Sequence, residues 1–229
     1  MTKYVVLGTS SFLSDVFDLI HANKGIVHAI FQNMNEVNDD RVLSVAKRVE
    51  LLGYPVRIAP LSDDFKPENG CKYVLGFTAV KKRDLVHQLK EKCGIRFDRL
   101  VHPSAVFGSN VRIGEGVVVN THVAVGPNAR LDDHCVVNRA ASIGHDAVVG
   151  KFTRIGPSAA IAGSARIGSM CSVGMGACVL DRVYVGDGSV VGAGSLVTRD
   201  LPDGVVAVGS PSKVIGKNEE TAAIRGISR

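Results

Sequence analysis

The sequence lacks tryptophan, has only four tyrosines and contains no long run of basic residues, although its formal net charge is +5. Proteins that bind nucleic acid usually present a clustered basic face, often with aromatic side chains that stack on bases. We therefore expect no nucleic-acid partner. The mild basic excess instead suits a small polyanionic ligand such as a nucleotide.

Long apolar runs are also missing. No stretch approaches the ~20 apolar residues of a membrane span, and no early apolar run has the flanks of a signal peptide. We expect a cytoplasmic protein without a membrane partner. The cysteines are odd in number and form no CxxC pair, which favours small buried thiols over disulfides or a metal site. These cysteines are Cys71, Cys93, Cys135, Cys171 and Cys178.

What the sequence does contain is an internal repeat. Stepping by six from Val101 to Val197 gives 17 apolar positions, of which 16 are Val, Ile or Leu, without a slip in register. The residue four positions further on is small or β-branched, and a glycine often follows the aliphatic residue. With 45% hydrophobic residues, such an alignment arises by chance about once in a million per frame tested.

A period of six does not fit the α-helical repeat of about 3.6 residues per turn, but it fits a short strand and a turn. Three such hexapeptides close one triangular coil, with Gly and Asn supplying unusual backbone angles at the corners. Stacked coils pair their backbones at ~4.8 Å. The repeat predicts an all-β parallel β-helix over residues 101–198. We place this domain, with a C-terminal cap, at 101–216 and a polar tail at 217–229.

Residues 1–100 have a different pattern. The apolar segments "KYVVLG", "GIVHAIF", "YPVRI" and "KYVLGF" read as strands, and they alternate with three helical segments, two of which are "DDRVLSVAKRVELLG" and "KKRDLVHQLKEKCG". This alternation predicts a small parallel α/β sheet covered on both faces. Ser10 or Ser11 is expected to cap the first helix.

Ligands of open parallel sheets bind beyond the carboxyl ends of the strands, and the amide groups at a helix start favour a phosphate. No GxGxxG is present, so an ordinary strand–turn–helix remains an open alternative to a nucleotide site. The candidate substrate-binding residues at this edge are Gly8, Thr9, Ser10, Ser11, Gln32, Asn33 and Gly76.

Together with this α/β half and the repeat, the segments "LVHPSA", "SIGHDAVVG", "IAGSARIG" and "VGSPSKVI" resemble one family over nearly the whole chain. It is the sialic-acid O-acetyltransferase and bacterial nucleotide-sugar N-acetyltransferase family. The resemblance implies an N-terminal Rossmann-like domain, a left-handed β-helix and a homotrimer. It also implies acetyl transfer from acetyl-CoA, without a metal, to a nucleotide-linked 4-amino-4,6-dideoxyhexose in bacterial lipopolysaccharide, O-antigen or glycan biosynthesis.

The "GHD" stretch is the most specific motif of the resemblance. His145 and Asp146 match the family's histidine and the acid that follows it, and Gly163 matches the backbone amide that stabilises an oxyanion. An imidazole with a pKa near 7 can accept the proton of the attacking group, and an adjacent acid can orient the ring. Gly163 follows His145 by one full coil, and its amide could face the oxyanion. A solvated corner histidine is the alternative interpretation.

The resemblance also places the pantetheine arm of acetyl-CoA in a groove between two β-helices, and Asn138 against the sugar. Asn138 could equally be a corner residue, and Lys213 either pairs with a coenzyme A phosphate or is simply solvated. The chain departs from the family at "SF" in its first loop, at "FQNM" after the second strand, and at Arg154, where the family has a second histidine. The residues expected near the pantetheine arm are Arg154, Met175 and Ala193.

O-acetylation of a sugar or sialic acid on the same scaffold is the alternative function, because the sequence does not distinguish an acceptor nitrogen from an acceptor oxygen. Other functions are less compatible with the sequence. A zinc carbonic anhydrase requires three converging histidines, whereas His122, His134 and His145 do not have the spacing of one coil plus a short step. A sugar-1-phosphate nucleotidyltransferase would need a longer Gly/Arg-rich N-terminal motif. A non-catalytic β-helix scaffold would not bind coenzyme A.

Overall fold

The computed structural model describes residues 1–33, 42–78 and 82–219. The chain divides into two compact units, Met1–Leu100 and Val101–Arg229. Within the described ranges, no helix is long and apolar enough to cross a lipid bilayer.

The first unit is built on a parallel four-stranded sheet with the strand order β3-β2-β1-β4. The consecutive residues Val5, Val6 and Leu7 of the inner strand are all fully buried. Because successive side chains of a strand point to opposite faces, both faces of the sheet are covered there. The elements are β1 (Thr2–Leu7), α1 (Leu13–Ala22), β2 (Gly25–Gln32), α2 (Val45–Glu50), β3 (Arg57–Pro60), β4 (Cys71–Leu75) and α3 (Lys82–Cys93).

The helix ends correct two expectations. Neither Ser10 nor Ser11 caps α1, because Phe12 is the N-cap residue and has no side-chain cap bond. The Ser10 hydroxyl instead accepts from the Phe12 amide at 3.1 Å and donates to the Gly76 carbonyl at 3.1 Å. α2 is shorter than its sequence pattern, since Ser44 caps it by accepting from the Lys47 amide. The start of the predicted segment, at 39–41, lies outside the described residues.

The second unit consists of stacked coils whose strands form three parallel sheets. Each strand pairs with the strand one coil further along, as in the pairs Arg130 with Val148 and Ser142 with Ala160. The aliphatic residue of each strand points inward and builds a continuous core. This arrangement confirms the hexapeptide β-helix and fits the left-handed type.

The three sheets define three faces of the β-helix. Face 1 contains β6, β9, β12, β15, β18 and β21; face 2 contains β7, β10, β13, β16 and β19; face 3 contains β5, β8, β11, β14, β17, β20, β22 and β23. The strands are β5 (Leu100–Val101), β6 (Val106–Phe107), β7 (Arg112–Ile113), β8 (Val118–Val119), β9 (Ala124–Val125), β10 (Arg130–Leu131), β11 (Val136–Val137), β12 (Ser142–Ile143), β13 (Val148–Val149), β14 (Arg154–Ile155), β15 (Ala160–Ile161), β16 (Arg166–Ile167), β17 (Ser172–Val173), β18 (Cys178–Val179), β19 (Tyr184–Val185), β20 (Val190–Val191), β21 (Leu196–Val197), β22 (Val205–Val208) and β23 (Lys213–Lys217).

The turns between the faces bear out the expected role of glycine and asparagine only in part. Every sixth residue from Asn110 to Gly194 has a positive φ, and some of these corner residues are Gly or Asn, such as Asn110, Gly116, Asn128 and Gly176, but most are neither. The glycines that follow the aliphatic residues serve another purpose. A Cβ on Gly126 would lie 2.6 Å from the backbone nitrogen of His145, and one on Gly144 would lie 2.5 Å from the backbone nitrogen of Gly163. These glycines therefore allow the backbones of adjacent coils to approach closely.

The period ends where the sequence pattern predicts. Val190 pairs with Val206 rather than with Val208, so the last coil is shorter than the others. The antiparallel pair β22–β23 then closes that end of face 3.

The cysteine prediction is only partly correct. None of the five cysteines, all of which are described, forms a disulfide. Cys135 and Cys171 are buried, and burial raises the pKa of Cys171 to about 12. Cys178 is exposed, because it is the outward-facing residue of its strand, and the two cysteines of the first unit are only partly buried.

Candidate active site

The turn from face 1 to face 2 carries the histidine and the acid singled out in the sequence. After β12, the His145 Nδ1 and the Asp146 Oδ2 are 2.8 Å apart. Asp146 adopts a φ of 59°, and its amide donates to the Pro127 carbonyl one coil earlier at 2.9 Å. The inward-facing core is undisturbed, because both polar side chains project from the turn and are more than half exposed.

The pairing fixes the roles of the two imidazole nitrogens. A carboxylate only accepts hydrogen bonds, so Nδ1 carries the proton that is shared with Asp146 and Nε2 is left as an acceptor. The hydrogen bond from His145, followed by one from Asn128, lowers the pKa of Asp146. Asp146 therefore stays ionised beside the ring, as an orienting acid must.

Gly163 lies directly beside this ring, one coil further along. The Ser164 amide donates to the His145 carbonyl at 2.8 Å, which holds the two turns in register. A Cβ added at Gly163 would be 2.5 Å from His145 Nε2. Among the described residues, no hydrogen bond uses the Gly163 amide. The acceptor nitrogen of His145 thus lies beside the Gly163 backbone, whose amide has no hydrogen-bond partner among the described residues.

Two asparagines on this edge were not singled out from the sequence. Asn128 Nδ2 donates to Asp146 Oδ1 at 3.2 Å, and Asn110 Nδ2 donates to Asn128 Oδ1 at 3.3 Å. The signal that could have found them is their spacing, because Asn110, Asn128 and Asp146 are separated by one coil each.

The residues expected near the pantetheine arm lie elsewhere on the β-helix. Met175 and Ala193 occupy the turn from face 3 to face 1, where the Gly194 amide donates to the Met175 carbonyl at 2.8 Å. Arg154 begins β14 on face 3, and its Nη2 donates to the Ser172 hydroxyl at 3.1 Å. Within one chain, none of these three residues is brought into the turn of His145.

Face 1 connects the two turns, since His145 lies along one of its edges and Met175 along the other. A shallow groove of about 550 Å³ runs over this face. Its floor is made of small outward-facing side chains, and Val106 at one end is 68% exposed. The groove is lined by Val106, Ala124, Val125, Gly126, Ser142, Ile143, Gly144, Ala160, Ile161, Ala162, Cys178, Val179 and Leu180.

Asn138 and Lys213 occupy contrasting environments. Asn138 is buried, its Nδ2 donates to the Ile155 carbonyl at 3.0 Å, and its Oδ1 accepts from Asn120 at 3.4 Å. Both ends of its amide are therefore engaged within the β-helix. Lys213 is the first residue of β23 and is exposed.

The first unit brings its candidate residues together at the carboxyl edge of the sheet. Asn33 Oδ1, after β2, accepts from the Thr9 amide, after β1, at 3.2 Å. Gly8 has a φ of 76°, and a Cβ on Gly76 would lie 2.1 Å from its carbonyl oxygen. The Gln32 carbonyl accepts from the Leu61 amide at 2.7 Å. With Ser10 bonded to Gly76 and Ser11 adjacent to it, all seven candidates lie around this edge.

One potential metal-ligand group occurs in the described part of the chain. Ligand atoms of His28, Glu68 and Cys71 lie within 4.8 Å of one another. One carboxylate oxygen of Glu68 bonds to His28 at 3.0 Å, and Arg57 bonds to the other. Burial, and then the nearby Glu68 charge, raise the pKa of Cys71. Glu68 is therefore the centre of a polar network with His28 and Arg57, and the raised pKa keeps the neighbouring Cys71 thiol protonated.

Comparisons with known proteins agree with this geometry. Residues 164–199 match the family model "Bacterial transferase hexapeptide (six repeats)". A perosamine N-acetyltransferase from Caulobacter crescentus, crystallised with CoA and GDP-perosamine, is similar at 28% identity over 95% of this chain and 98% of its own, with a TM-score of 0.77. The acetyltransferase domain of PglB from Neisseria gonorrhoeae is similar at 27% identity over 94% of this chain and 100% of its own, with a TM-score of 0.79.

A more distant match shows the fold alone. WeeI from Acinetobacter baumannii is 23% identical over 93% of this chain and 100% of its own, with a TM-score of 0.76. No curated protein sequence matches the chain. The repeat model and the two acetyltransferases aligned over nearly their whole lengths nevertheless agree with the motifs of the sequence. The chain therefore contains hexapeptide repeats of the bacterial transferase type, and over nearly its whole length it resembles a perosamine N-acetyltransferase and the acetyltransferase domain of PglB.

Proposed function

We propose that this protein transfers the acetyl group of acetyl-CoA to the amino nitrogen of a nucleotide-linked sugar, with a 4-amino-4,6-dideoxyhexose as the acceptor. The observation that carries the proposal is the stacking of the His145–Asp146 pair against Gly163. It occurs in a chain that is 28% identical to a perosamine N-acetyltransferase over 95% of its length. The product would enter lipopolysaccharide, O-antigen or other glycan assembly in the cytoplasm.

His145 acts as the general base in this proposal. Its Nε2 accepts a proton from the amino group as the nitrogen attacks the thioester carbonyl carbon. The new N–C bond forms, the C–S bond breaks, and the proton can pass on to the departing sulfur of coenzyme A. Asp146 holds Nδ1–H and stabilises the imidazolium that forms during the transfer.

The Gly163 amide is the proposed donor to the carbonyl oxygen as charge develops on it. A preorganised donor is most effective when it has no other partner, and the described chain provides none for this N–H. The absence of a side chain at this position also leaves room for the thioester beside the ring.

The α/β unit is the proposed nucleotide-binding domain, of Rossmann-like type. Support comes from Gly8, Thr9, Ser10 and Asn33, which surround the carboxyl edge of its parallel sheet, where such folds bind nucleotides. Asn138 stays a proposed sugar contact, although its amide is engaged within one chain. Lys213 is the proposed partner of a coenzyme A phosphate.

We further propose a homotrimer in which a second copy of the chain covers face 1. The exposed Val106, the groove beside it and the small side chains of its floor suit a close protein contact. A shared groove of this kind would combine His145 of one copy with Arg154, Met175 and Ala193 of another around the pantetheine arm. Sedimentation is expected to give a trimer at assay concentration, and a monomer would contradict a shared site.

The assay for the proposed function measures thiol release from acetyl-CoA in the presence of TDP-, UDP- or GDP-linked 4-amino sugars. His145→Ala should lower kcat ~10²–10⁴-fold, because only the proton transfer is removed. The KM values and the melting temperature should stay close to those of the wild type.

The matched control is His21→Ala, which removes an exposed histidine of the other unit whose ring bonds to the Tyr54 hydroxyl. Its kcat should equal that of the wild type. Wild-type turnover in His145→Ala would remove the histidine from the mechanism. Thiol release with none of the amino sugars would contradict the proposed substrate class.

A further inference from the structure

We propose that Asn128 is a positioning residue for acetyl transfer: its side-chain amide anchors one oxygen of Asp146, so that the other oxygen holds His145 with Nδ1 protonated and Nε2 free. The inference deepens the proposed function, because it assumes His145 as the base. It assigns a role to a residue that touches neither the ring nor the reacting atoms.

The hydrogen bonds run in one direction along the edge between faces 1 and 2. Asn110 Nδ2 donates to Asn128 Oδ1 at 3.3 Å, and Asn128 Nδ2 donates to Asp146 Oδ1 at 3.2 Å. Asp146 Oδ2 receives the His145 Nδ1 proton at 2.8 Å. Each oxygen of the carboxylate thus has its own donor from a different side chain.

The carboxylate determines how the amides are oriented. Asp146 cannot donate while it is ionised, so Asn128 must turn its NH₂ group towards it, and Asn128 Oδ1 then faces Asn110. With Oδ1 engaged, the carboxylate cannot rotate freely about its side-chain bonds. Oδ2 is consequently held at the position that fixes the imidazole.

Turn geometry alone does not explain an asparagine at position 128. Its φ is 60°, a conformation that asparagine tolerates well. However, the same corner holds Ser164 and Arg182 in later coils, with φ of 59° and 60°. The equivalent turn positions at the other two corners are filled by residues such as His122, Ala140, Phe152 and Met170, with φ between 55° and 59°. The left-handed turn therefore accepts many side chains, and what distinguishes Asn128 is its bond to the acid.

The test substitutes Asn128→Gly, because glycine keeps the positive φ without strain and removes only the amide. The expected result is a loss of about tenfold in kcat, as is typical when an orienting outer partner is removed, with KM for both substrates changed by less than twofold. The matched control is Asn110→Gly, which breaks the neighbouring bond of the same ladder at a φ of 59° and should leave kcat within twofold of the wild type.

A second measurement does not depend on turnover. In protein labelled with ¹⁵N-histidine, ring correlation spectra report which nitrogen carries the proton, and His145→Gln identifies the His145 signals. Wild type and Asn110→Gly should show the Nδ1–H tautomer. In Asn128→Gly, a substantial share should move to Nε2–H, because Asp146 is no longer anchored.

A third variant separates hydrogen bonding from turn conformation. Asn128→Asp keeps the size and the tolerance for positive φ but places a carboxylate against Asp146, and like charges repel at this distance. It should lose more activity than Asn128→Gly.

If Asn128→Gly and Asn128→Asp both match Asn110→Gly in kcat and in tautomer, Asn128 is a turn residue only. Failure of wild-type acetyl transfer with every acceptor would contradict the proposed function, while the tautomer data would still decide the role of Asn128.

Discussion

The β-helix and the α/β unit assemble their candidate sites in different ways. In the β-helix, residues one coil apart return to the same edge, so Asn128, Asp146 and Ser164 lie in one column. In the α/β unit, the site comes from the ends of β1, β2 and β4, which the strand order brings side by side. In the β-helix, the spacing of two residues along the sequence predicts whether they lie together. In the α/β unit, their proximity depends on the order of the strands in the sheet.

This difference affects how closely function is tied to stability. His145 and Asp146 project from a turn, and the aliphatic column beneath them does not depend on their identity. At the edge of the α/β sheet the backbone itself is crowded. A Cβ on Gly8 would lie 2.4 Å from the Phe77 ring. Substitutions in the turn should therefore change catalysis with little loss of stability, whereas glycine substitutions at the edge should change both.

Gly163 provides the largest test of this contrast, because it is the glycine of the β-helix that lies beside His145 in the proposed site. A methyl group there would occupy the space 2.5 Å from His145 Nε2, and the exposed ring would have to swing aside. A displacement of about 1 Å can cost ~10²-fold in rate. Gly163→Ala should lower kcat by roughly that factor in the thiol-release assay, with an unchanged melting temperature.

Two controls make the Gly163 result specific. Gly216→Ala adds a methyl group where nothing lies within 4 Å, and it should have wild-type kinetics. In a His145→Ala background, Gly163→Ala should have a much smaller additional effect, since the two substitutions act on the same group. Full additivity, or a cooperative loss of folding in Gly163→Ala, would mean that the glycine serves the backbone rather than the ring.

The sequence predicted the β-helix well because its structure repeats locally. The period places Gly163 beside His145 without any knowledge of side-chain contacts. The same period also contains Asn128, but a polar residue at a corner has no distinctive pattern until its hydrogen bonds are known. Corner glycines such as Gly116 and Gly176 have the positive φ that was predicted. The role of the glycines that follow the aliphatic residues was missed, since backbone approach between coils is a property of stacked neighbours and not of single turns.

Prediction was weaker where position depends on non-repeating contacts. The strands of the α/β unit could be recognised from their apolar runs, but the cap of α1 could not. Ser10 bonds to the carbonyl of Gly76, far along the chain, instead of capping the helix. Arg154, Met175 and Ala193 were assigned by resemblance to a groove between two chains, so no pattern within one chain could bring them together.

The smallest effect is expected at the edge of the α/β sheet. Asn33→Ala removes the acceptor of the Thr9 amide, and a hydrogen bond of this kind contributes about 1 kcal/mol. If this edge binds the nucleotide, KM for the nucleotide sugar should rise about fivefold, while kcat and KM for acetyl-CoA stay unchanged.

Asn23→Ala is the matched control, because Asn23 ends α1 at the opposite edge of the same sheet and donates to the Leu19 carbonyl. An equal rise in both variants would indicate a general loosening of the unit. A fall in kcat without a change in KM would mean that Asn33 affects the chemical step. That result would contradict the proposal that the β-helix performs the reaction and the sheet edge binds the nucleotide.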